Sequence, residues 1–411
     1  MKSNLLKEIE TGSTSFSTRR EILSAITSKQ DTVASIRQAG DPLKGWSPDR
    51  EWVRIFERFD TGLNPYCTLV YETKDDPQRL CLLEVYESQP TQLGSHQLSI
   101  AHEVAGWFLL TPFQNDPQLP TLPEVLKKTT AARVVRYRPH KRCTMRCQPT
   151  GREEFCFVKI FPDAQGKTIH EESLDLWRAS EKGDLNFAVA RPGHWDEETN
   201  SLWQGEIPGT SIADRLFSGK DMDLAYRVGC AAGSIPASKL APKDVFDETE
   251  QLRRTERYAK ELGWRISKLQ PDIASFMEQL KNLHGRAGLK SVRPLHGSPH
   301  VHQWLDNGSQ LGLVDFDRIS MGHPELDAAT FVAEIDYEDP TTVRIDELNQ
   351  SFLEGYQTKA GALNFDLFQA YRAHKHLAKA LKASRAVRVD AEKRAERNLG
   401  RAIECLRRAL P

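Results

Sequence analysis

The residues best suited to chemistry fall in one stretch, positions 295–317, which reads LHGSPHVHQWLDNGSQLGLVDFD. It combines histidines and a glutamine with two closing aspartates, Asp315 and Asp317, and these residue types bind metal ions and phosphate groups. The turn residues Asp306-Asn307-Gly308 precede an apolar run from Leu311 to Phe316. That order predicts a hairpin whose second strand delivers the two aspartates.

A second candidate is Lys159, which lies in the apolar, strand-like run CFVKI at 156–160. A lone strand lysine is usually a solvated edge residue. Here a predicted helix follows at once, and its Thr168 and Glu171 have the spacing of a capping box. Because that cap would occupy Glu171, Glu172 is the better candidate to pair with the lysine. A strand lysine followed by a helix glutamate is the arrangement with which protein kinases hold nucleotide phosphates.

The strand pattern around Lys159 occurs twice in the first half of the chain. Residues 53–87 and 134–161 align on their cysteines with one residue of gap, and each copy alternates apolar and polar residues between polar turns. This alternation predicts antiparallel hairpins, so the first half should contain two related small sheets. Glu84 in the first copy stands where Lys159 stands in the second.

The elements that must position these residues change type near residue 211. From there the apolar residues recur with helical spacing, and the hairpin at 295–317 is the only strand-like insertion. At 411 residues the chain is too long for one ordinary core. A chain of this length should hold about two or three domains.

Composition narrows the class of protein. The chain is 39% hydrophobic and 27% charged with a net charge of −1, so no overall field attracts nucleic acid or an anionic membrane. We therefore expect a small or neutral partner. The N-terminus has no signal-peptide segment, and no run approaches the ~20 apolar residues of a membrane span, so a cytoplasmic location is expected. Seven cysteines without a CxxC pair predict reduced thiols rather than disulfides or a zinc site.

The chain resembles the aminoglycoside phosphotransferase and choline kinase group of kinase-like enzymes in three features. These are the strand lysine, a hinge-like segment at 204–212 and a helical region with an inserted histidine loop. The resemblance covers roughly residues 126–400 and is most specific in HGSPHVHQ, LVDFDRISMGHPELDAATF and FLEGY at 352–356. It implies an α+β, bilobal protein-kinase-like fold with a small antiparallel-sheet lobe and a mainly helical lobe, to which the internal repeat adds an extra N-terminal lobe that repeats the small sheet. The implied divisions are a helical or flexible segment at 1–45, a degenerate sheet lobe at 46–125, a nucleotide-binding lobe at 126–210 and a helical lobe with the catalytic loop and metal site at 211–411.

The resemblance assigns roles to several residues, position by position. His296 and Gly297 match the start of the catalytic loop, and Gln303 matches the amide ligand of the metal. Asp315 matches the main magnesium carboxylate, Asp327 the aspartate that braces the loop, and Lys159 the lysine that binds the α- and β-phosphates. Asp317 is implied as a second metal ligand or a substitute base.

Two departures from the family pattern affect the implied chemistry. Ser298 occupies the loop position where the family has the aspartate that accepts the substrate's hydroxyl proton. Serine is a poor proton acceptor near neutral pH, and general-base assistance typically contributes about 10²- to 10⁴-fold. In place of a glycine-rich phosphate loop the chain has Pro139-His140-Lys141-Arg142, whose Lys141 and Arg142 could contact phosphates.

Three further residues have both a functional and a structural interpretation. Trp203 and Glu206, at the hinge, could line an adenine slot, although core packing explains a strand tryptophan equally well. Arg318, which follows the DFD sequence, could meet a phosphate, although a surface ion pair is the commoner fate of an arginine.

The combined expectation is an ATP- and Mg²⁺-dependent phosphotransferase that moves the γ-phosphate to a hydroxyl of a small metabolite, sugar or antibiotic. Because Ser298 lacks the base, the alternative is a pseudokinase that binds nucleotide and acts as a regulatory or scaffold module. A smaller alternative is a metal-dependent hydrolase that uses His296, His300 and His302. Neither nucleic acid nor a membrane is an expected partner, whereas a protein partner or dimerisation through the N-terminal lobe is left open.

Overall fold

Two five-stranded antiparallel sheets account for the alternating pattern of the first half, in a computed structural model that describes residues 52–60, 65–73, 76–94, 96–102, 105–218, 221–286, 291–338 and 344–409. The predicted segment at 1–45 lies outside these described residues. The first sheet contains β1 (Trp52–Phe59), β2 (Cys67–Thr73), β3 (Asp76–Tyr86), β4 (Leu98–His102) and β5 (Gly106–Pro112) in the order β1-β2-β3-β5-β4. The second contains β6 (Thr129–Arg138), β7 (Arg142–Pro149), β8 (Cys156–Ile160), β9 (Pro192–Asp196) and β10 (Ser201–Gly205) in the order β6-β7-β8-β10-β9.

The two sheets are copies of one another, as the sequence repeat predicted. Their strand orders are the same, and their registers also correspond. Glu84 of β3 lies opposite Thr68 of β2, while Lys159 of β8 lies opposite Thr144 of β7. The extra N-terminal sheet lobe is therefore confirmed.

The two sheets pack against each other through non-equivalent faces, so that corresponding faces of the two copies point in the same direction. Leu82 of the first sheet shares a buried cluster with Val158 and Ile160 of the second. Glu84 is on the same face of β3 as Leu82, because side chains alternate along a strand. Lys159 is on the opposite face of β8 from Val158 and Ile160. The face of the first sheet that corresponds to the lysine-bearing face is thus covered by the second sheet.

Helices dominate the second half, and the chain divides into two compact units. Within the described residues, the first unit comprises 52–166, 195–203 and 383–392, and the second comprises 167–194, 204–382 and 393–409. The helices are α1 (Leu122–Lys127), α2 (Gln165–Glu181), α3 (Ala213–Phe217), α4 (Met222–Ala237), α5 (Glu248–Arg265), α6 (Gln270–Arg286), α7 (Pro324–Glu338), α8 (Ile345–Ala360), α9 (Phe365–Ser384) and α10 (Ala391–Ala409). None of the described helices is long and apolar enough to cross a membrane.

The helix after Lys159 begins earlier than predicted. α2 starts at Gln165, whose backbone N–H donates to Asp163 Oδ1 at 3.0 Å, so Thr168 lies inside the helix. The predicted capping box of Thr168 and Glu171 is therefore wrong. Glu171 instead forms an exposed ion pair with Lys243 at 2.7 Å.

Two small sheets in the second unit frame the histidine loop. One contains β11 (Thr210–Ser211), β14 (Trp304–Asp306) and β15 (Leu311–Leu313), and the other contains β12 (Val245–Phe246), β13 (Arg293–Leu295) and β16 (Ser320–Gly322). β14 and β15 form the expected antiparallel hairpin. Its second strand ends at Leu313 rather than Phe316, because the backbone leaves the extended conformation at Asp315, where φ is 72°.

Candidate active site

The loop that carries Ser298 is held by Asp327, near the start of α7. Asp327 Oδ2 accepts the backbone N–H of His296 at 2.7 Å, and its Oδ1 accepts that of Gly297 at 3.0 Å. Its side chain is buried, and burial raises the pKa of this carboxyl to about 7. The aspartate therefore fixes the backbone immediately before Ser298.

Gly297 joins the loop to the segment that follows the aspartates. Its φ is 82°, and a Cβ atom at this position would lie 2.2 Å from the carbonyl oxygen of Arg318. Only glycine accepts both the conformation and the close approach. The His296 ring lies 4.5 Å from the Phe316 ring, and its Nε2 is 3.2 Å from the Val314 carbonyl oxygen. The loop and the aspartate segment consequently form one packed assembly.

Gln303 and Asp315 are brought into contact within that assembly. Gln303 Nε2 donates to Asp315 Oδ2 at 3.3 Å, and its Oε1 accepts the backbone N–H of His300 at 2.9 Å. Asp315 has a left-handed backbone, which is uncommon for a residue with a side chain and is often found where function demands it. Asp317 follows two residues later and is half-buried. Carboxylate and amide oxygens in this short segment match the hard-oxygen ligands of Mg²⁺.

The three loop histidines do not converge on one point. His296 is fully buried against Phe316, whereas the His302 ring lies 5.9 Å from the Phe217 ring and 6.1 Å from that of His300. Across the described ranges, no three His, Cys, Asp or Glu side chains are grouped closely enough to hold a metal ion. The hydrolase alternative, which requires these histidines to act together, therefore has no histidine cluster to support it within the described residues.

Lys159 is buried on β8, with 5% of its surface exposed. Glu172, its predicted partner, lies on α2 and is half-buried, and burial raises the pKa of its carboxyl. Its Oε1 is buried and accepts no hydrogen bond from any described residue. The pairing of Lys159 with Glu172 stays a prediction.

The turn that replaces a glycine-rich loop is fixed by a network that sequence reasoning missed. His140 has a left-handed backbone with φ of 61°. Its Nδ1 lies 2.8 Å from Asp116 Oδ1 and its Nε2 lies 3.0 Å from Glu84 Oε1. Its backbone N–H and the Tyr137 hydroxyl both donate to Asp116 Oδ2, at 2.8 and 2.7 Å. Burial alone would lower the pKa of His140, but the hydrogen bonds with Asp116 and Glu84 raise it to about 10.

Lys141 and Arg142, the two cations predicted at this turn, directly follow His140 in the chain. Lys141 is exposed and Arg142, at the start of β7, is half-buried. Partial burial and the charges of Arg58 and Arg138 lower the pKa of Lys141. Positive charge is thus concentrated at the turn.

Trp203 and Glu206, the predicted adenine-slot residues, have different surroundings. Trp203 is 6% exposed, belongs to the core between the two sheets and donates its indole N–H to Ser201 Oγ at 2.9 Å. Core packing therefore accounts for this tryptophan without a ligand. Glu206 is exposed on the segment between β10 and β11. A role for either residue at adenine stays a prediction.

The stacked sheets, the helical unit and the braced histidine loop together define a kinase-like protein of the α+β class. A sequence model described as the phosphotransferase enzyme family (APH) matches residues 157–374, which is more than half of the chain. The chain belongs to this phosphotransferase family. The matched span begins two residues before Lys159 and includes Ser298, Asp315 and Asp327.

Three similar solved structures align with this chain over nearly their whole length. A choline/ethanolamine kinase family protein from Mesorhizobium loti has 15% identity and a TM-score of 0.49, covering 72% of this chain and 98% of that one. A thermostable mutant of the aminoglycoside phosphotransferase APH(4)-Ia has 13% identity and a TM-score of 0.49, with coverages of 71% and 99%. The choline kinase LicA from Streptococcus pneumoniae has 13% identity and a TM-score of 0.47, with coverages of 69% and 96%. No curated protein matches the chain.

Proposed function

We propose that the chain transfers the γ-phosphoryl group of ATP to a hydroxyl group of a small molecule. The observation that carries this proposal is the contact of Gln303 with Asp315, on a segment whose backbone is strained at the carboxylate and packed against a braced loop. Strain of this kind persists where a side chain must be aimed at a ligand. In phosphoryl transfer most of the catalysis is such positioning, together with charge neutralisation.

Each part of the site has a proposed task. Mg²⁺, when bound, neutralises charge on the phosphates, and the residues that would hold it are Asp315, Gln303 and Asp317. Gln303 would join by turning its amide oxygen away from the His300 N–H. Lys159 binds the α- and β-phosphates, and Glu172, whose buried oxygen needs a donor, orients the lysine. Lys141 and Arg142 add positive charge from the turn, and Trp203 and Glu206 border the adenine.

Ser298 makes the pseudokinase the second candidate. The serine hydroxyl offers no base, and Asp317, on the segment after the hairpin, is the carboxylate that could replace it. Without a base the reaction would be slower by about 10²- to 10⁴-fold but not abolished, because the transition state is loose. A measurement of turnover therefore distinguishes a slow kinase from a nucleotide-binding module, whereas a measurement of nucleotide affinity does not.

Thermal unfolding with and without Mg-ATP tests the proposal at its first step. A ligand at about 100 times its dissociation constant stabilises a fold by about 2.7 kcal/mol, which raises the midpoint measurably. We expect this shift in the wild type and its loss in Lys159→Met and Asp315→Ala. Lys182→Ala, which changes an exposed lysine directly after α2, is the matched control and should retain it. The absence of any shift in the wild type would refute nucleotide binding, while a shift without transfer to any hydroxylated compound would favour the pseudokinase.

A further inference from the structure

Cys147 and Cys156 lie directly opposite one another on the paired strands β7 and β8. Their Sγ atoms are 4.0 Å apart, so the two thiols are in contact, and both are free in this structure. Residues directly opposite in an antiparallel pair have Cα atoms about 4.5–5.5 Å apart, which lies within the range of about 4.4–6.8 Å that a disulfide requires. A disulfide between them can therefore form by rotation of the side chains, with little movement of the strands.

The two thiols differ in their exposure. Cys147 is fully buried in the core between the two sheets, whereas Cys156 is half-buried at the first position of β8. Residues 151–154, in the turn that joins the two strands, are exposed. A small oxidant can therefore reach Cys156 from this turn, while Cys147 is shielded from it.

The pKa of the Cys156 thiol lies below its ordinary value. Its hydrogen bond with Cys147 lowers the pKa most, burial opposes this effect, and the charge of Arg152 lowers the pKa further. The same hydrogen bond, together with burial, raises the pKa of Cys147, and burial also raises the pKa of Cys67 and Cys143. Because the thiolate is the reactive form, Cys156 is the thiol that attacks first and Cys147 is its resolving partner.

The repeated sheet provides an internal comparison. Cys81 of β3 corresponds to Cys156 of β8, but it lies opposite Tyr71 rather than opposite a cysteine. Its Sγ donates to the carbonyl oxygen of Leu82 at 3.4 Å. Core packing explains a single buried cysteine such as Cys81, whereas two thiols in contact can also be oxidised together. The facing thiols occur in the copy that carries Lys159, on the same strand as Cys156.

We propose that Cys147 and Cys156 form a reversible disulfide when the protein reacts with a peroxide. The Cys156 thiolate attacks one oxygen of hydrogen peroxide and breaks the O–O bond, which yields a sulfenic acid and, with one proton, a water molecule. The Cys147 thiol then attacks the sulfenic sulfur, so that the S–S bond forms and the hydroxyl group leaves with the thiol proton as a second water. Two thiols and one peroxide thus give one disulfide and two waters. A dithiol reverses the reaction by exchange and is itself oxidised to a disulfide.

The new bond links β7 to β8 at the end of their hairpin, on the sheet that carries Lys159. A cross-link of this kind restricts the unfolded chain and so raises the midpoint of unfolding. Disulfide formation does not depend on nucleotide binding or on phosphate transfer.

Peptide mapping of the native, full-length protein after treatment with hydrogen peroxide tests for this disulfide. Trypsin cleaves after Arg146, Arg152 and Lys159, so the two cysteines fall in separate peptides, 147–152 and 153–159. After the free thiols have been blocked with N-ethylmaleimide, we expect mass spectrometry to find these two peptides linked. Treatment with dithiothreitol should release them.

No linked pair in the folded protein, whether Cys156 is then unmodified or oxidised to a sulfinic acid, would overturn the disulfide. Dimers linked through Cys156 in place of the linked pair would overturn it as well. Cys143→Ala is the matched control, because Cys143 also lies on β7 but faces Ile160 rather than a cysteine, and it should form the linked pair as the wild type does. Cys147→Ala should instead leave a sulfenic acid at Cys156, which dimedone traps.

The midpoint of thermal unfolding distinguishes a disulfide that the fold accommodates from one that distorts it. We expect peroxide to raise the midpoint of the wild type, and expect dithiothreitol to restore the original value. Cys156→Ser, which removes the attacking thiol at nearly constant size, should show no rise. A midpoint that oxidation lowers in the wild type, or raises equally in Cys156→Ser, would contradict the assignment of this pair as a modification site.

Discussion

At the scale of single residues, Ser298 lies on a loop whose backbone is held by neighbouring side chains. Its backbone N–H lies 3.4 Å from His296 Nδ1, and the two preceding residues are held by Asp327. The serine hydroxyl forms no hydrogen bond with any described residue. The backbone at this position is therefore fixed, whereas the side chain makes no hydrogen bond with the described residues.

Restoring a carboxylate at this position should raise activity if the rest of the site is intact. We expect Ser298→Asp to increase Mg-ATP consumption by about 10²-fold or more, because an aspartate accepts the proton that serine cannot. The rate is measured with water and with a panel of hydroxylated small molecules as acceptors. Ser298→Asn has nearly the same shape without the base and should show no gain. Equal rates in the two variants would mean that more than the base is missing.

The residue scale also shows what the sequence can and cannot predict. The resemblance to the kinase-like group assigned Gln303 and Asp315 to one site and Asp327 to the support of the loop. In the structure Gln303 contacts Asp315, and Asp327 accepts a backbone N–H of the loop. The hydrogen bonds of His140 were not predicted, because Asp116 and Glu84 lie far from the turn in sequence. No local pattern identifies these two carboxylates as its partners. Only the folded chain brings them to the two nitrogens of the histidine ring.

At the scale of secondary-structure elements, sequence patterns predicted whether a segment is a helix or a strand better than they predicted the residues at which it begins and ends. The helix after Lys159 begins at Gln165 because Asp163 caps it, and Gly166 fits closely against the rings of Phe161 and Trp195. Trp195 is about thirty residues away along the chain, so a search for local capping residues could not find this contact. The strand before Asp315 ends early for a similar reason, since the left-handed aspartate is set by packing around the loop.

The close packing of α4 against α8 requires glycines at the contact. A Cβ atom at Gly229 would lie 2.1 Å from the carbonyl oxygen of Phe352, and one at Gly355 would lie 2.1 Å from that of Tyr226. Phe352 also stacks on Phe331 of α7 with ring centroids 3.9 Å apart. These helices support the core behind the loop, so their separation cannot increase without disturbing α7 and Asp327.

Adding a methyl group at this contact should be costly. We expect Gly229→Ala to lower the free energy of unfolding by about 2–4 kcal/mol, because backbone atoms rather than flexible side chains would have to move. Gly400→Ala, in α10, is the matched control, since no atom lies within 4 Å of a Cβ there. It should raise stability by about 0.5–1 kcal/mol through helix propensity. Urea unfolding measures both changes, and a neutral Gly229→Ala would show that the helices can separate at little cost.

At the scale of the whole molecule, the repeated sheet has a structural use that the sequence comparison alone did not reveal. The sequence showed only that Glu84 stands where the second copy has its lysine. In the fold, Glu84 faces the second sheet and binds His140, which belongs to the turn beside Lys141 and Arg142. The degenerate copy therefore anchors the turn of the other copy. The predicted divisions at 45, 125 and 210 stay predictions, although the two sheets share one core.

This anchor makes the stability of the first unit depend on pH. The pKa of His140 is raised from 6.5 to about 10 in the folded protein, so the folded state binds its proton more tightly than the unfolded state. The stabilisation is fully present below about pH 6.5, where both states are protonated, and it is lost as pH rises toward about 10. We expect the difference in unfolding free energy between wild type and His140→Gln to shrink over this window, by on the order of 3 kcal/mol.

Urea titrations between about pH 6 and pH 10 measure this difference. His96→Gln, which changes an exposed histidine of the first sheet region, should run parallel to the wild type across the window. Glu84→Gln should reduce the pH dependence without removing it, because Asp116 still binds the other ring nitrogen of His140. A wild type whose stability runs parallel to that of His140→Gln would show that His140 is neutral in the fold. The first sheet would then hold the turn of His140 through neutral hydrogen bonds and packing rather than through an ion pair.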